Sequence, residues 1–355
     1  MKIGIYVEVL KNNLTGIGRY TYELVKRLPT VLNSNDEIIL FSKVPIKYNP
    51  LNGEAKLILE NNLLLKKLPS PIWYRYFSSR LINREKIDYL WSPIPFLPKF
   101  LSENIRKIIT VYDLNLYIVP ETMKFKTWLS YKLFFKRAVL EADKIITISK
   151  GTSDKLKKYF NREADVIIYP SIDEKLFNIF KKGERPFNFR YILSVSTLEP
   201  RKNISLLIDV FVGLKREGYL KDIKLVLVGK SGWKNKKILE KLRDFKGDVI
   251  YTGYISDKEL VRLYKYAEVF VLPSIYEGFG IPVLEARNCG CCVITTDIPE
   301  LKEACGKGCI YIKPTFGELR KILKYFFENK ISCNFENKHS FLWEKEIKKF
   351  EMLFI

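Results

Sequence analysis

Short runs of apolar, often β-branched residues alternate with longer amphipathic segments along the whole chain. In the first half the runs predict strands, while the segments after Gly18 and from Phe125 to Ala142 have the apolar spacing of helices. This alternation is typical of α/β layers around a mostly parallel sheet. The strands are predicted at residues 3–9, 37–41, 56–59, 89–91, 108–112, 144–148 and 165–169.

The same alternation starts again after residue 190 and predicts a second sheet. Residues 171–190 have no clear period and include Gly183 and Pro186, so we interpret them as a linker. The predicted strands are 191–195, 224–228, 249–252, 269–272, 293–296 and 309–312, and the predicted helices are 204–216, 257–267, 282–288 and 316–327.

The two halves predict two doubly wound, Rossmann-like domains, residues 1–170 and 191–339. A final helix at 340–355 is expected to pack back toward the first domain. Two such domains that face each other leave a cleft at the carboxyl ends of their strands, where α/β sheets bind ligands.

Composition narrows the class of protein. Of 355 residues, 47% are hydrophobic and 28% are charged, which is the balance of a soluble globular protein. The net charge of +21 makes a polyanion, a phosphorylated ligand or an anionic membrane surface a candidate partner. No uncharged apolar run approaches the ~18 residues of a bilayer span, and the apolar start of the chain is too short for a signal peptide. We therefore expect neither an integral membrane protein nor a secreted one.

Six cysteines and one histidine limit the available chemistry. Cys289, Cys291 and Cys292 have C-x-C-C spacing and not the paired C-x2-C spacing usual for zinc ligands. We therefore predict small buried thiols of a cytosolic protein, with a metal site as the alternative. A Ser-His-Asp or Cys-His mechanism would rest on His339 alone, which disfavours nucleophilic hydrolases. The other cysteines are Cys305, Cys309 and Cys333.

The segment from Tyr276 to Glu285 is the most informative for chemistry. It joins a predicted strand to a predicted helix through a loop with glycines, and Pro282 suits the first turn of that helix. Glycines permit close approach of the backbone to a ligand, and the N–H groups at a helix start favour phosphate. Glu277 and Glu285 each offer a carboxylate that accepts hydrogen bonds from a sugar diol. The alternative is a plain turn with solvated acids.

Two further loops follow the first strand of each half. Arg201 and Lys202 combine a planar fork with a mobile point charge, a pair suited to clamping a diphosphate, although so basic a chain also yields such pairs by chance. Gly16 and Gly18 allow a backbone to pass close to a phosphate. Thr21 stands where the dinucleotide-binding pattern G-x-G-x-x-G has its third glycine, so that pattern is incomplete.

Together and in this order, the motifs resemble the retaining, GT-B-fold glycosyltransferases of the group 1 family, especially bacterial mannosyltransferase-like members that act in polysaccharide synthesis. The segments 228–233 and 252–254 add to the resemblance, which covers nearly the whole chain. The resemblance implies an acceptor-binding N-terminal domain and a C-terminal domain that binds a nucleotide-diphosphate sugar. A sugar would pass from this donor to a growing glycan with retention at the anomeric carbon.

The resemblance also implies roles on the phosphate side of the donor. Arg201 and Lys202 would hold the diphosphate and stabilise its negative charge as it leaves, and the loop of Gly16 and Gly18 would close over the phosphates. Such a transfer needs stabilisation of the leaving group more than a protein nucleophile. In the front-face mechanism of the family the departing phosphate oxygen takes the proton of the acceptor, which agrees with a chain that has a single histidine.

On the other side of the donor, Glu285 would bind the ribose hydroxyls and Glu277 would lie beside the transferred sugar. Phe279 and Gly280 would offer backbone N–H groups near that sugar. These roles rest on the resemblance, which assigns them by position. The loop pattern alone leaves open whether Glu277 and Glu285 bind a sugar or are solvated, and the resemblance implies a binding role for both.

The chain also departs from the family pattern. Tyr112 and Asp113 stand where members often have a His-Asp pair on the sugar or acceptor side, so the sugar-side chemistry is in question there. Ser196 replaces a usual glycine, and Cys292 replaces a usual proline. No Asp-x-Asp motif occurs, so we expect no bound metal ion and no cofactor.

Residues 61–140 contain 14 Lys and Arg against 5 Asp and Glu, interleaved with Trp, Tyr and Leu in the segments 63–68, 73–77 and 124–137. Such segments suit a surface that touches anionic lipid, although Lys, Phe and Tyr are frequent throughout the chain.

We therefore expect a metal-independent glycosyltransferase, cytoplasmic or peripheral on the inner face of the plasma membrane. Mannose from GDP-mannose is the candidate favoured by the family, and the acceptor is a glycan or a lipid-linked glycan. The alternatives are a nucleotide-sugar epimerase or hydrolase on the same fold, or a non-catalytic protein that binds sugar nucleotides or nucleic acid. The sequence has no recognisable nucleic-acid-binding module.

Overall fold

The structure is a computed structural model that describes residues 1–12, 14, 16–172, 185–329, 331, 333 and 341–354. The chain divides into two compact units. Of the described residues, unit 1 takes those within Met1–Tyr117, Phe125–Ser171 and Phe341–Ile355, and unit 2 takes those within Ile118–Lys124 and Ile172–Ser340. The division after Ser171 lies beside the predicted start of the linker, whereas the transfer of Ile118–Lys124 to unit 2 was not predicted.

Unit 1 is built on a seven-stranded parallel sheet with the order β3-β2-β1-β4-β5-β6-β7. The strands are β1 Lys2–Tyr6, β2 Glu37–Ser42, β3 Lys56–Leu59, β4 Tyr89–Ser92, β5 Arg106–Val111, β6 Lys144–Thr147 and β7 Val166–Ile167. The helices are α1 Ile17–Arg27, α2 Leu63–Lys67, α3 Ser70–Tyr76, α4 Ser79–Arg84, α5 Asn115–Ile118, α6 Phe125–Glu141 and α7 Lys150–Phe160.

The first predicted strand is too long. Strand β1 ends at Tyr6, and Glu8–Leu10 form a 3-10 turn in which Leu10 N–H donates to the Val7 carbonyl at 2.9 Å. The continuous apolar run concealed this turn because Glu8, the one polar residue in it, is itself buried. The turn brings the Glu8 carboxylate back over the end of β1, where the Tyr6 hydroxyl donates to it at 3.0 Å.

Unit 2 is built on a six-stranded parallel sheet with the order β10-β9-β8-β11-β12-β13. The strands are β8 Arg190–Val195, β9 Ile223–Val228, β10 Val249–Gly253, β11 Val269–Leu272, β12 Val293–Thr296 and β13 Ile310–Ile312. The helices are α8 Ile204–Arg216, α9 Lys236–Asp244, α10 Asp257–Tyr266, α11 Ile281–Asn288, α12 Pro299–Cys305 and α13 Phe316–Glu328.

The loops after β8 and β9 approach each other closely. Ser196 N–H donates to the Val228 carbonyl at 2.9 Å, and a side chain at Gly229, where φ is 136°, would collide with the Ser196 carbonyl. Only glycine fits such a position without strain. The apolar strands beneath pack with α8 and α13 into one core that includes Phe211 and Leu319.

The end of the chain packs on unit 1 and is less regular than the predicted helix. Helix α14, Trp343–Glu346, is followed by a 3-10 helix at Ile347–Leu353. The ring of Trp343 lies 5.8 Å from that of Tyr20, and the ring of Phe350 lies 4.8 Å from that of Trp91. These aromatic contacts bury the terminal segment against α1 and β4 of its own unit.

The structure corrects the expectation of six reduced cysteines. It joins Cys292 to Cys333 and Cys305 to Cys309 as disulfides, with Cα atoms 5.2 and 6.3 Å apart, and leaves Cys289 and Cys291 as thiols. Cys292 precedes β12 and Cys333 follows α13, and the two meet because both pack against the core of unit 2. Burial raises the pKa of the Cys291 thiol to about 12.

Candidate functional site

The candidate site lies at the carboxyl edge of the sheet of unit 2. Strands β8 and β11 are neighbours there, and the chain leaves them toward opposite sides of the sheet, since β9 and β10 lie beyond β8 while β12 and β13 lie beyond β11. In α/β sheets such a reversal of strand order leaves a crevice that binds ligands. The loop after β11 is fixed to the loop after β8 by Ile275 N–H, which donates to the Arg201 carbonyl at 2.8 Å.

Glu277 is the centre of a buried ion-pair network. Its Oε1 accepts hydrogen bonds from Lys202 Nζ at 2.5 Å and Ser274 Oγ at 2.7 Å, and its Oε2 accepts from Arg201 Nη1 at 2.7 Å. Burial raises the pKa of this carboxyl, but the charges of Lys202 and Arg201 outweigh burial and hold the pKa at about 2. Glu277 is therefore an anion at any physiological pH.

The guanidinium of Arg201 is held from two sides. Its Nε and Nη2 lie 3.0 and 2.8 Å from Glu199 Oε1, and its Nη1 also donates to the Tyr276 carbonyl at 2.8 Å. These contacts use the planar fork of arginine, which a lysine could not reproduce. Arg201 lies in a 3-10 turn, Pro200–Lys202, which begins directly after the extended Glu199 in the loop that follows β8.

The side chain of Lys202 is also largely buried, with 12% of it exposed. Burial and the neighbouring Arg201 lower its pKa, and the carboxylates of Glu277 and Glu199 oppose this. The network thus brings together two cations and two carboxylates. Cations fixed in a dry site stabilise negative charge far better than cations in water.

Glu285 lies in the first turns of α11. Its Oε2 accepts a hydrogen bond from the Tyr264 hydroxyl at 2.9 Å, and both side chains are buried. Helix α11 begins after Gly280, whose φ of 108° and whose contact with Leu301, 2.5 Å from an added Cβ, require glycine. The ring of Phe279 is buried in front of this turn.

The other predicted site residues belong to unit 1. Gly16 precedes α1 with a φ of 50°, and Gly18 lies in the first turn of α1. Tyr112 is buried, with its ring edge-on to Tyr20 at 5.5 Å, and burial raises the pKa of its phenol. The Asp113 carboxylate accepts from Asn115 N–H at 3.1 Å. The roles implied for these four residues stay predictions.

Three residues of the site escaped the sequence analysis: Glu199, Ser274 and Tyr264. Glu199 lies two residues before Arg201, and Ser274 lies three residues before Glu277, so opposite charge and short spacing could have pointed to both. Tyr264 comes from α10, which packs against α11, and no local pattern connects it to Glu285.

The described part of the chain has no group of three or more His, Cys, Asp or Glu side chains placed to hold a metal ion. In the same part of the chain, no helix is both long and apolar enough to cross a bilayer.

Comparison with known proteins identifies the family. The family model described as "Glycosyl transferases group 1" matches residues 177–338, which include the whole candidate site. An O-antigen chain mannosyltransferase B from Escherichia coli is 30% identical over 88% of this chain and 87% of its own length. The chain belongs to the group 1 glycosyltransferases. The resemblance stated from the sequence motifs is therefore confirmed.

Solved glycosyltransferases share its fold. WaaG is described as a glycosyltransferase involved in lipopolysaccharide biosynthesis. It has a TM-score of 0.70 with 13% identity, and the match covers 98% of this chain and 95% of that one. HepE from Anabaena, solved in complex with UDP-glucose, has a TM-score of 0.66 with 15% identity over 99% and 95%. These matches and the two parallel sheets confirm the predicted GT-B fold.

Proposed function

We propose that this glycosyltransferase moves a sugar from a nucleotide-diphosphate donor to a growing glycan in surface polysaccharide synthesis, with retention at the anomeric carbon. The observation that carries the proposal is the network of Glu277, Arg201 and Lys202 at the strand-order reversal of unit 2. The name of the Escherichia coli relative favours mannose as the sugar, and GDP-mannose is accordingly the first donor to test.

The proposed chemistry needs no protein nucleophile. The bond between the anomeric carbon and the diphosphate oxygen breaks, and Lys202 and Arg201 stabilise the charge left on the diphosphate. The acceptor oxygen attacks the anomeric carbon from the same face and passes its proton to the departing phosphate oxygen. Glu277 lies beside the transferred sugar, and Glu285 accepts hydrogen bonds from the ribose.

The proposal includes metal independence, since cationic side chains stand where a metal-dependent enzyme holds its ion. Transfer should keep its rate in the presence of EDTA. Loss of activity on chelation, restored by Mg²⁺ or Mn²⁺, would contradict this part of the proposal.

A binding screen followed by a turnover assay tests the function. GDP, UDP and their sugars should raise the melting temperature of the full chain, and the best sugar nucleotide should support transfer to a glycan acceptor. If sugar nucleotides bind without turnover, the chain is a binding protein. If no nucleoside diphosphate binds, the proposal fails.

We also propose that the enzyme is peripheral on the inner face of the plasma membrane and that helix α6 touches anionic lipid there. Its buried face is formed by Phe134, Phe135, Ala138 and Val139, while Phe125 is 71% exposed and Leu133 is 59% exposed. Leu129 and Leu140 continue this exposed apolar stripe, with Lys126, Lys132 and Lys136 beside it. An apolar stripe flanked by lysines is the pattern of an interfacial helix.

The structure corrects one part of the predicted lipid surface. Trp73, Tyr74 and Arg75 lie on α3 and are buried. Arg75 pairs with Glu141 at 3.0 Å, and Trp73 Nε1 donates to Glu60 at 2.8 Å. Residues 73–75 are thus part of the core of unit 1, because the short helix turns them inward, whereas Tyr76 of the same segment is 42% exposed.

Vesicle co-sedimentation tests the lipid contact. Binding should require anionic lipid, fall with salt, and drop when Lys126, Lys132 and Lys136 are changed to Ser. A charge-matched control changes three exposed lysines of unit 2 to Ser: Lys236, Lys237 and Lys258. Equal losses in both variants would show that net charge, and not α6, governs binding.

A further inference from the structure

The candidate site holds four charged side chains that are all largely withdrawn from water. The exposed fractions are 15% for Arg201, 12% for Lys202, 4% for Glu199 and 6% for Glu277. Two positive and two negative charges leave this group formally neutral. A site proposed to bind a diphosphate is therefore less attractive to anions than its Arg-Lys sequence indicates.

The two carboxylates are not equivalent in this arrangement. Glu277 contacts both cations and Ser274, and the proposed function places it beside the transferred sugar. The Glu199 side chain contacts Arg201, at Nε and Nη2. Glu199 thus has no assigned part in the reaction, yet it carries half of the negative charge of the group.

We propose that Glu199 is a positioning residue that sets how tightly the site holds the leaving nucleoside diphosphate. This inference rests on the proposed function. Its carboxylate orients the Arg201 fork toward Glu277 and at the same time offsets one positive charge, so that the product diphosphate is held weakly enough to leave. Without that charge the cations would bind the product more strongly and release it more slowly.

The substitution Glu199→Gln separates charge from geometry. Glutamine keeps an oxygen that accepts from Arg201 Nε, but it changes the formal charge of the group from zero to one positive. Since opposite charges attract strongly in a poorly screened site, we expect GDP and inorganic pyrophosphate to bind about tenfold more tightly. A damaged site would lose affinity, so a gain cannot arise from misfolding. Glu199→Asp keeps the charge and should bind both anions close to the wild-type affinity.

A matched control removes the same charge elsewhere on unit 2. Glu217 follows α8, which runs back from the site toward the opposite edge of the sheet, and it pairs with Arg320 on the surface. Glu217→Gln therefore changes net charge equally, and its affinity for GDP should stay within about twofold of wild type because exposed charges are screened.

Calorimetric titration of the full-length variants with GDP and with pyrophosphate decides the matter, together with steady-state transfer. The expected result for Glu199→Gln is tighter binding of both anions, a steeper fall of affinity with salt, and a kcat and KM that both decrease. Unchanged or weaker binding of both anions by folded Glu199→Gln, while the wild type binds them, overturns the inference and leaves the proposed function standing. If the wild type binds neither GDP, UDP nor pyrophosphate, the proposed function fails and this inference fails with it.

Discussion

Each unit carries a buried glutamate at the carboxyl edge of its sheet, and the two surroundings look alike at first. In unit 1, Glu8 accepts from Lys11 at 2.7 Å, from Ser70 at 2.5 Å and from Tyr6 at 3.0 Å. In unit 2, Glu277 likewise accepts from a lysine, a serine and a third donor. In both places burial raises the pKa of the carboxyl, yet the pKa lies below its ordinary value. Hydrogen bonds from Lys11 and Ser70 lower it for Glu8, whereas the charges of Lys202 and Arg201 lower it for Glu277.

The two sites differ in the third hydrogen-bond donor and in how far their cations are exposed to water. The third partner of Glu8 is a neutral phenol, and Lys11 is 37% exposed, so water screens its charge. The third partner of Glu277 is the guanidinium of Arg201, and both cations are nearly buried. With the same number of hydrogen-bond donors, Glu8 therefore stabilises the fold of unit 1, whereas Glu277 belongs to a buried ion-pair network in unit 2.

The largest expected effect is on the transfer rate, when the lysine that contacts the glutamate is replaced by alanine in one unit at a time. Lys202→Ala should lower transfer at saturating donor at least tenfold, because a charge-assisted contact that strengthens at the leaving group contributes ~1.5–3 kcal/mol. Lys11→Ala, the matched change in unit 1, should leave the rate within about twofold. Single-turnover transfer rates of both variants measure this contrast. Equal rates for Lys202→Ala and wild type would remove Lys202 from the mechanism.

The two carboxylates should also differ in acid. The pKa of Glu277 is lowered from 4.5 to about 2, so its ionisation stabilises the fold above about pH 4.5, and this contribution is lost as the pH falls toward 2. Glu277→Gln cannot lose it, so its free energy of unfolding should fall less steeply than that of wild type between pH 5 and pH 3. Glu8→Gln should change the slope less, because the lysine that donates to Glu8, Lys11, is 37% exposed and water screens its charge. Urea unfolding at steps of pH compares the three proteins, and parallel curves would contradict the difference drawn between the two sites.

The sequence was sufficient for the strands and for the charged core of the site, for an identifiable reason. Arg201, Lys202 and Glu277 follow buried strands, and the carboxyl ends of parallel strands meet at one edge. It was not sufficient for Tyr264, whose partner depends on helix packing, whereas Glu199 was missed although its charge and its spacing from Arg201 pointed to the contact. Nor did it show that Trp73 is buried, since a helix of seven residues is too short to display a period.

A second pair of contacts sharpens the comparison through a smaller expected effect, a loss of GDP affinity. The Tyr264 hydroxyl donates to Glu285 at 2.9 Å as the Tyr6 hydroxyl donates to Glu8 at 3.0 Å. The Tyr264→Phe variant should bind GDP roughly fivefold more weakly, because Glu285 would lose the hydrogen bond that orients its carboxylate toward the ribose. The loss should be smaller for the 2′,3′-dideoxy form of GDP, which lacks the hydroxyls concerned.

Tyr6→Phe serves as the control for this pair and should leave GDP affinity unchanged while lowering the melting temperature slightly. Equal losses of GDP and dideoxy-GDP affinity in Tyr264→Phe would mean that the tyrosine supports the fold of the site and does not orient Glu285.

The smallest effect is expected from the two serines. Ser274→Ala and Ser70→Ala each remove one hydroxyl that donates to a carboxylate, at 2.7 and 2.5 Å. Each change should cost about 1 kcal/mol of stability, since the remaining donors still satisfy the carboxylate. Their effects on transfer should differ: Ser274 holds the oxygen of Glu277 that also accepts from Lys202, so its loss lets the Lys202 ammonium move and should lower kcat about threefold. Ser70→Ala should leave kcat unchanged because no cation of the transfer site depends on Glu8. Urea unfolding and transfer rates of the two variants separate these outcomes, and a matched fall of kcat in both would erase the functional difference between the two glutamates.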